Sequence, residues 1–271
     1  MDYEKLMSDK VVGLKPSGIR KFFDLANEMK EVISLGVGEP DFKTPWSIRE
    51  AGIQSLQDGK TRYTANAGLL SLREEISRYL ERRFSLKYDP QTELLVTVGG
   101  SEAIDVLTRT LINPGDEVIV PEPCFVAYAP IATMAGGKVV TVCTRAEDGF
   151  KLKAKDLKAA ITDKTKLLVL PYPNNPTGAV MNREDLEEIA EVLRGTDILV
   201  MSDEIYAELT YVGNHVSIAS LPGMWERTVV VNGFSKSYSM TGWRLGYAAG
   251  PAPLLKQMTK VHQFAIMSSP T

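Results

Sequence analysis

The side chain best suited to covalent chemistry in this sequence is a lysine near its end, Lys236. It lies in the segment Asn232–Tyr247, directly after the β-rich run Thr228–Val231 and eight positions before Arg244. Loss of solvation lowers the pKa of a lysine from roughly 10.4 toward neutrality, where the free amine attacks carbonyl carbons. A solvated lysine in a surface loop is the alternative, because most lysines are exposed. The residues elsewhere in the chain decide between the two.

Two glycines and a serine follow another apolar run, at the start of a predicted helix. Gly99, Gly100 and Ser101 come directly after Leu94–Val98. The free N–H groups and the dipole of a helix N-terminus bind phosphate. A simple helix cap formed by Ser101 is an equally good interpretation. The segment therefore indicates either a phosphate site or a cap.

Aromatic and amide side chains follow two further runs. Phe125 comes shortly after Val118–Pro121, and Asn175 follows Leu167–Pro171 between prolines. An aromatic ring at a strand end can stack on a flat ligand, although a core position is the commoner explanation for Phe125 alone. An asparagine held in a rigid turn can donate to a ring oxygen, or it can serve the turn only.

An aspartate and a tyrosine follow the run Ile198–Met201. They are Asp203 and Tyr206. A carboxylate at the end of an apolar strand is costly to bury unless it pairs with a cation, and a protonated heterocyclic nitrogen is such a cation. Functional and purely structural interpretations of Asp203 are evenly balanced at this point.

The elements that position these residues alternate between strands and helices. The predicted strands are Leu94–Val98, Val118–Pro121, Val139–Thr144, Leu167–Pro171, Ile198–Met201 and Thr228–Val231. The predicted helices are Trp46–Asp58, Leu69–Phe84, Glu102–Leu111, Phe125–Met134, Lys155–Ile161, Arg183–Leu193 and Pro253–Phe264. Continuous apolar strands separated by helices predict an α/β fold with a mostly parallel sheet sandwiched by helices. Ligands of such folds bind at the carboxyl ends of the strands, where the residues above are expected to meet.

Composition sets the broad class of protein. The 271 residues are 44% hydrophobic and 24% charged, with a net charge of −3, which gives no electrostatic footprint for nucleic acid or an anionic membrane. Two cysteines, Cys124 and Cys143, lie in apolar runs, so we expect free core cysteines and neither a disulfide framework nor a metal site. We see no signal peptide and no apolar run near the roughly 20 residues of a membrane span. A cytoplasmic location is the resulting expectation.

Together these groups match the needs of one cofactor, pyridoxal 5′-phosphate. It requires an amine for its aldehyde, a carboxylate for its pyridinium nitrogen, donors for its phenolic oxygen, a partner for its ring face and a phosphate site. A dinucleotide would need neither the lysine nor the pyridinium partner.

Six motifs carry a family resemblance. They are GVGEPDF, RYTANAGLLSLREEI, VTVGGSEAI, PYPNNPTG, SDEIY and NGFSKSYSMTGWRLGY. Through them the sequence, from about Gly18 to its end, closely resembles the class I/II aminotransferases, which are pyridoxal-phosphate-dependent enzymes of fold type I. The last three motifs, in this order and spacing, make the resemblance specific.

The resemblance implies a role for each residue around the cofactor ring. Lys236 forms the internal Schiff base, and Asp203 keeps the pyridinium nitrogen protonated. Asn175 and Tyr206 bind the phenolic oxygen, while Phe125 stacks on the ring. The implied catalytic residues are Lys236, Asp203 and Tyr206.

The resemblance also implies a phosphate site and a homodimer. Gly100, Ser101, Ser235 and Arg244 bind the phosphate. Tyr63 reaches the phosphate of the neighbouring subunit, so the two subunits would share their active sites. For the substrate carboxylate, the implied contacts are Gly38, through its backbone, and Asn175.

Two departures from the family pattern stand out. Many relatives have a serine where this chain has Gly233, so one phosphate hydroxyl is missing. The chain also stops at Thr271, where the small C-terminal domain with its carboxylate-binding arginine follows in the family. We therefore expect residues 1–45 to be an arm with part of the small domain, residues 46–271 to be the large cofactor domain, and the C-terminal domain to be absent.

The activity implied is ping-pong transfer of an amino group between an L-amino acid and a 2-oxo acid. A pyridoxal-phosphate-dependent C–S lyase is one alternative, because the same lysine and aspartate serve both reactions. A non-catalytic, cofactor-binding domain is the other. The identity of the amino donor and acceptor stays open.

Overall fold

A computed structural model of the chain describes residues 1, 3–16 and 38–270. Its strands are β1 (Leu94–Thr97), β2 (Glu117–Glu122), β3 (Lys138–Cys143), β4 (Thr165–Leu170), β5 (Leu199–Asp203), β6 (Thr228–Gly233) and β7 (Gly246–Ala249). Its α-helices are α1 (Asp9–Val12), α2 (Trp46–Gln57), α3 (Leu70–Phe84), α4 (Gly100–Leu111), α5 (Tyr128–Ala135), α6 (Ala154–Ala160), α7 (Arg183–Leu193) and α8 (Ala252–Ala265). The sequence also predicts a helix around Phe22 in the arm and a short strand from Val32, and both lie outside the described residues.

The strands form one seven-stranded sheet in the order β1-β7-β6-β5-β4-β2-β3. All neighbouring pairs are parallel except those of β7, which is antiparallel to both β1 and β6. The carboxyl ends of the other six strands therefore lie at one edge of the sheet. The predicted α/β class with a mostly parallel sheet is confirmed.

Helices cover both faces of the sheet because the central strands are apolar on both sides. All six residues of β6 and the last four of β5 are buried. One core cluster joins the sheet to α4, α5 and α8, and a second joins its other face to α6 and α7. A third cluster packs α3 against β1, β6 and β7. None of the described helices is long and apolar enough to cross a membrane.

Four details differ from the sequence prediction. Strand β7 was missed because its sequence, Gly-Tyr-Ala-Ala, lacks β-branched residues; it is held by hydrogen bonds to β1 and β6. Helix α5 begins at Tyr128, so Phe125 precedes it in a loop. Strand β5 continues to Asp203, which lies in the strand and not after it. The expectation of a core position is wrong for Cys143, which is exposed at the end of the edge strand β3.

Candidate active site

A cavity of about 380 Å³ opens at the carboxyl edge of the sheet. This volume suits a small-molecule ligand. Ten of the eleven predicted site residues line it: Gly38, Gly100, Ser101, Phe125, Asn175, Asp203, Tyr206, Ser235, Lys236 and Arg244. The eleventh, Tyr63, is 81% exposed and is not among the lining residues. The cavity thus brings together residues that are far apart in the sequence, such as Gly38 and Lys236, which are 198 positions apart.

Lys236 follows β6 and is half-buried at the cavity wall. Its Nζ donates a hydrogen bond to the carbonyl oxygen of Gly38 at 2.5 Å and lies 5.7 Å from the ring centre of Tyr206. Burial lowers the pKa of Lys236, and Arg244 adds to this effect, while Glu39 opposes it. The neutral amine form is therefore more readily populated than in an ordinary surface lysine.

Asp203 is the buried carboxylate of the cavity, with 7% of its surface exposed. The hydroxyl of Tyr128 donates to its Oδ2 at 2.7 Å, and the N–H of Ile205 donates to its Oδ1 at 3.2 Å. Burial raises the pKa of Asp203, against the effect of these hydrogen bonds. Within the described part of the chain, Asp203 forms no ion pair. A cationic ligand group in the cavity would satisfy it.

Tyr206 and Asn175 are neighbours in the cavity wall. Burial and the nearby Asp203 raise the pKa of Tyr206, and a hydrogen bond with the Asn175 side chain lowers it. The preceding Asn174 holds the turn: its Oδ1 accepts from the hydroxyl of Thr177 at 2.8 Å. Asn174 therefore serves the turn, whereas Asn175 lines the cavity.

The N-terminus of α4 and Arg244 form the cationic end of the cavity. Gly99 is the N-cap, with a φ of 76°, and Ser101 is exposed in the first turn without making a cap hydrogen bond. Capping by Ser101, one of the two interpretations of the sequence, is not what the structure contains. A Cβ on Gly99 would lie 2.6 Å from Nη2 of Arg244, so the guanidinium lies directly against the helix start. This arrangement provides N–H donors, a hydroxyl and a positive charge for an anion.

The helix start is also packed tightly against β7. A Cβ on Gly246 would lie 2.6 Å from both the backbone N of Gly100 and the carbonyl carbon of Gly99. We expect Gly246→Ala to lower the free energy of unfolding by about 1–3 kcal/mol, because backbone atoms cannot move aside. Gly242→Ala is the matched control, since nothing lies within 4 Å of its Cβ, and we expect a change below about 0.5 kcal/mol. Urea unfolding of both variants checks this; equal losses would show that the close approach is unimportant.

The sequence prediction missed three cavity residues that matter to its geometry. Tyr128 is 4% exposed and binds Asp203, and its ring meets that of Phe125 edge-on at 5.7 Å. Ile205 and Thr241 also line the cavity. The spacing Phe125-x-x-Tyr128 was a usable signal for Tyr128, since the two aromatics would lie on the same side of the helix that the sequence predicts from Phe125. No local signal indicated the other two.

Comparison with known proteins identifies the family. The family described as "Aminotransferase class I and II" matches residues 30–271. The chain belongs to the class I and II aminotransferases. Its sequence is 60% identical to a putative aminotransferase, YugH, of Bacillus subtilis over 97% of this chain and 68% of that protein. It is 46% identical to an aspartate aminotransferase of Pyrococcus abyssi over 95% of this chain and 67% of that protein.

Solved structures agree with this assignment. An aspartate aminotransferase of Thermus thermophilus with maleate has a TM-score of 0.93 and 40% identity, over 97% of this chain and 69% of that one. An aromatic aminotransferase of Pyrococcus horikoshii has a TM-score of 0.87 and 44% identity, over 94% and 68%. The predicted fold, that of pyridoxal-phosphate-dependent transferases of fold type I, is confirmed. This aminotransferase spans about two thirds of the length of these relatives.

Proposed function

We propose that this aminotransferase binds pyridoxal 5′-phosphate covalently through Lys236 and moves an amino group between an L-amino acid and a 2-oxo acid. The observation that carries the proposal is the set of groups in one cavity: a half-buried lysine, a buried carboxylate and an anion-binding helix start. Each group meets a different chemical need of the cofactor.

Among the cavity residues, Asp203 shows the fit to the cofactor most clearly. The carboxylate is buried and forms no ion pair among the described residues, which is costly unless a cation arrives with the ligand. A protonated pyridine nitrogen is such a cation. The hydroxyl of Tyr128 donates a hydrogen bond to the same carboxylate and so fixes its orientation.

The remaining residues divide between the phosphate and the ring. Gly100, Ser101, Ser235 and Arg244 would hold the phosphate at the N-terminus of α4. Gly233 has no hydroxyl to add, and a Cβ there would lie 2.9 Å from the Cα of Gly246. The absence of a serine at this position thus has a steric reason in this chain.

Asn175 and Tyr206 would bind the phenolic oxygen, and Phe125 would cover one face of the ring. When bound, pyridoxal phosphate supplies an aldehyde that accepts an amino group and a ring that delocalises the electron pair left on the substrate α-carbon. Once a substrate amino group has displaced it from the cofactor, the amine of Lys236 would take the α-proton of the substrate and deliver it to the former aldehyde carbon of the cofactor. Its lowered pKa favours the neutral form that this proton transfer needs.

The substrate contacts and the assembly belong to the same proposal. We assign the substrate carboxylate to Asn175 and the backbone of Gly38. Tyr63, exposed and outside this cavity, is assigned to the phosphate of a second subunit in a homodimer with shared active sites. Relatives of this chain are named for aspartate, for aromatic amino acids and for N-acetyl-LL-diaminopimelate, so these are the donor classes to compare. A cytoplasmic location accompanies the proposal, in keeping with two free cysteines.

A panel of amino donors tests the proposal. The purified protein, loaded with pyridoxal phosphate, is mixed with each donor class and 2-oxoglutarate, and glutamate and the new 2-oxo acid are measured. We expect stoichiometric amounts of both products with at least one donor. Release of pyruvate and ammonia from cysteine-type substrates, without glutamate, would instead support a lyase. Cofactor binding with no conversion, even in a single turnover, would support a non-catalytic domain.

A further inference from the structure

A buried carboxylate that takes no part in lining the cavity lies next to Asp203. Glu204 has no exposed surface. Ser202 and Ser217 donate hydrogen bonds to its Oε1 at 2.8 and 2.6 Å, and Nε2 of His215 lies 3.0 Å from its Oε2. A carboxylate is costly to bury unless several donors satisfy it. Here three side chains meet at one carboxylate, on the side of the chain away from the cavity.

Glu204 lies at the joint between β5 and the loop that carries Tyr206. Its N–H donates to the carbonyl of Val231 at 2.8 Å, one residue beyond the last β5–β6 pair. Its carbonyl accepts from the N–H of Ala207 at 2.9 Å. Because side chains alternate along an extended chain, Glu204 and Asp203 lie on opposite sides. A shift of Glu204 is therefore transmitted to the carboxylate before it and to the tyrosine after it.

The loop has a second anchor that also lies outside the cavity. Glu208 accepts from the hydroxyl of Tyr79 at 2.8 Å and from Nη2 of Arg83 at 2.7 Å. The ring of Phe84 meets that of His215 edge-on, with centres 5.4 Å apart. Helix α3 thus contacts the loop at both anchors. A loop tied at two points can present its cavity side chains in one orientation.

We propose that Glu204 and His215 are positioning residues, whose hydrogen-bond network holds Asp203 and Tyr206 in the orientation that a pyridoxal ring requires. The inference rests on the proposed function, since it assumes that those two residues contact the cofactor. Replacing Glu204 with glutamine preserves its size but leaves one acceptor oxygen for three donors. The hydrogen bonds around residue 204 must then rearrange, and the backbone between β5 and the loop that carries Tyr206 shifts with them.

The test compares Glu204→Gln with Glu117→Gln. Glu117 is also buried (4% exposed) and accepts from Lys138 and Thr162 at 2.9 and 2.7 Å, but it lies at the amino end of β2, away from the cavity. The measurements are the pyridoxal-phosphate dissociation constant of the apoprotein, kcat, KM and the pH titration of the bound cofactor's absorbance. All are made well below the unfolding midpoints of the variants.

We expect Glu204→Gln to weaken cofactor binding and lower kcat by about tenfold each, the effect of one lost buried hydrogen bond to a charged group. KM should stay within about twofold, because Glu204 does not touch the substrate. The absorbance titration should shift its midpoint. Glu117→Gln should change only the unfolding midpoint.

The outcomes separate this inference from the function on which it rests. If Glu204→Gln lowers only the unfolding midpoint, Glu204 is structural and the inference is wrong. If that variant does not fold, His215→Phe and Ser217→Ala, which each remove one donor, are judged by the same measurements. Wild-type protein that fails to bind pyridoxal phosphate would overturn the proposed function and this inference together. Normal wild-type binding with unchanged variants would overturn the inference alone.

Discussion

Replacing Lys236 with alanine is expected to reduce amino transfer by at least about 10⁴-fold, because one side chain supplies both the covalent attachment and the proton carrier. The visible absorbance that arises when wild-type protein binds pyridoxal phosphate through its lysine should also disappear. The fold should survive, since Lys236 is half-buried and its side-chain hydrogen bond among the described residues is to the carbonyl of Gly38. Steady-state kinetics, absorbance spectra and urea unfolding together check the three statements.

Two companion variants make the result specific to the amine. Lys236→Arg keeps a positive charge in the cavity but has a guanidinium that does not lose its proton, so it should be as inactive as the alanine variant. Lys256→Ala removes an exposed lysine on α8 and should retain full activity. A Lys236→Ala protein with wild-type turnover would contradict the assignment of the whole cavity.

The strand ends explain why so much of the site could be predicted from the sequence. Lys236 and Asp203 each lie at the end of a continuous apolar run, and such runs are readable without any structure. Once the sheet was known to be mostly parallel, the carboxyl ends had to meet at one edge. The prediction that these residues meet in space therefore came from a general rule about α/β folds and not from local sequence.

What the sequence did not reveal depends on contacts between distant segments. Strand β7 is stabilised by its pairing with β1 on one side and β6 on the other. Its alanines have no preference for a strand of their own. The network of Glu204 joins residues of a strand, a loop and a histidine eleven positions on. The two histidines matched no motif, yet His262 is fully buried on α8 with Nδ1 at 2.7 Å from Oε1 of Glu102. Such pairings are visible only after folding.

Replacing Asp203 with asparagine is expected to lower kcat/KM by about 10³-fold, through loss of a buried negative charge aimed at the cofactor ring. Asparagine can still accept the hydrogen bond from Tyr128, so the shape of the site should persist. Bound pyridoxal phosphate should raise the unfolding midpoint of the wild type far more than that of the variant, because ligand stabilisation follows affinity. Thermal unfolding with and without the cofactor measures this difference. A variant with wild-type kcat/KM would contradict the pyridinium role.

The same substitution makes a prediction about pH in the absence of cofactor. Burial raises the pKa of Asp203, so the folded apoprotein holds this proton more tightly than the unfolded chain does. The contribution of Asp203 to the free energy of unfolding is then complete below its unfolded pKa and is lost as pH rises through its folded pKa. The asparagine side chain of the variant does not titrate. The stability of Asp203→Asn relative to wild type should therefore increase with pH across that interval, as measured by urea unfolding of the two apoproteins. A stability difference between the two apoproteins that is constant with pH would mean that hydrogen bonds already stabilise the ionised carboxylate without a cationic ligand. That result would remove the main physical reason for assigning a pyridinium nitrogen to this cavity.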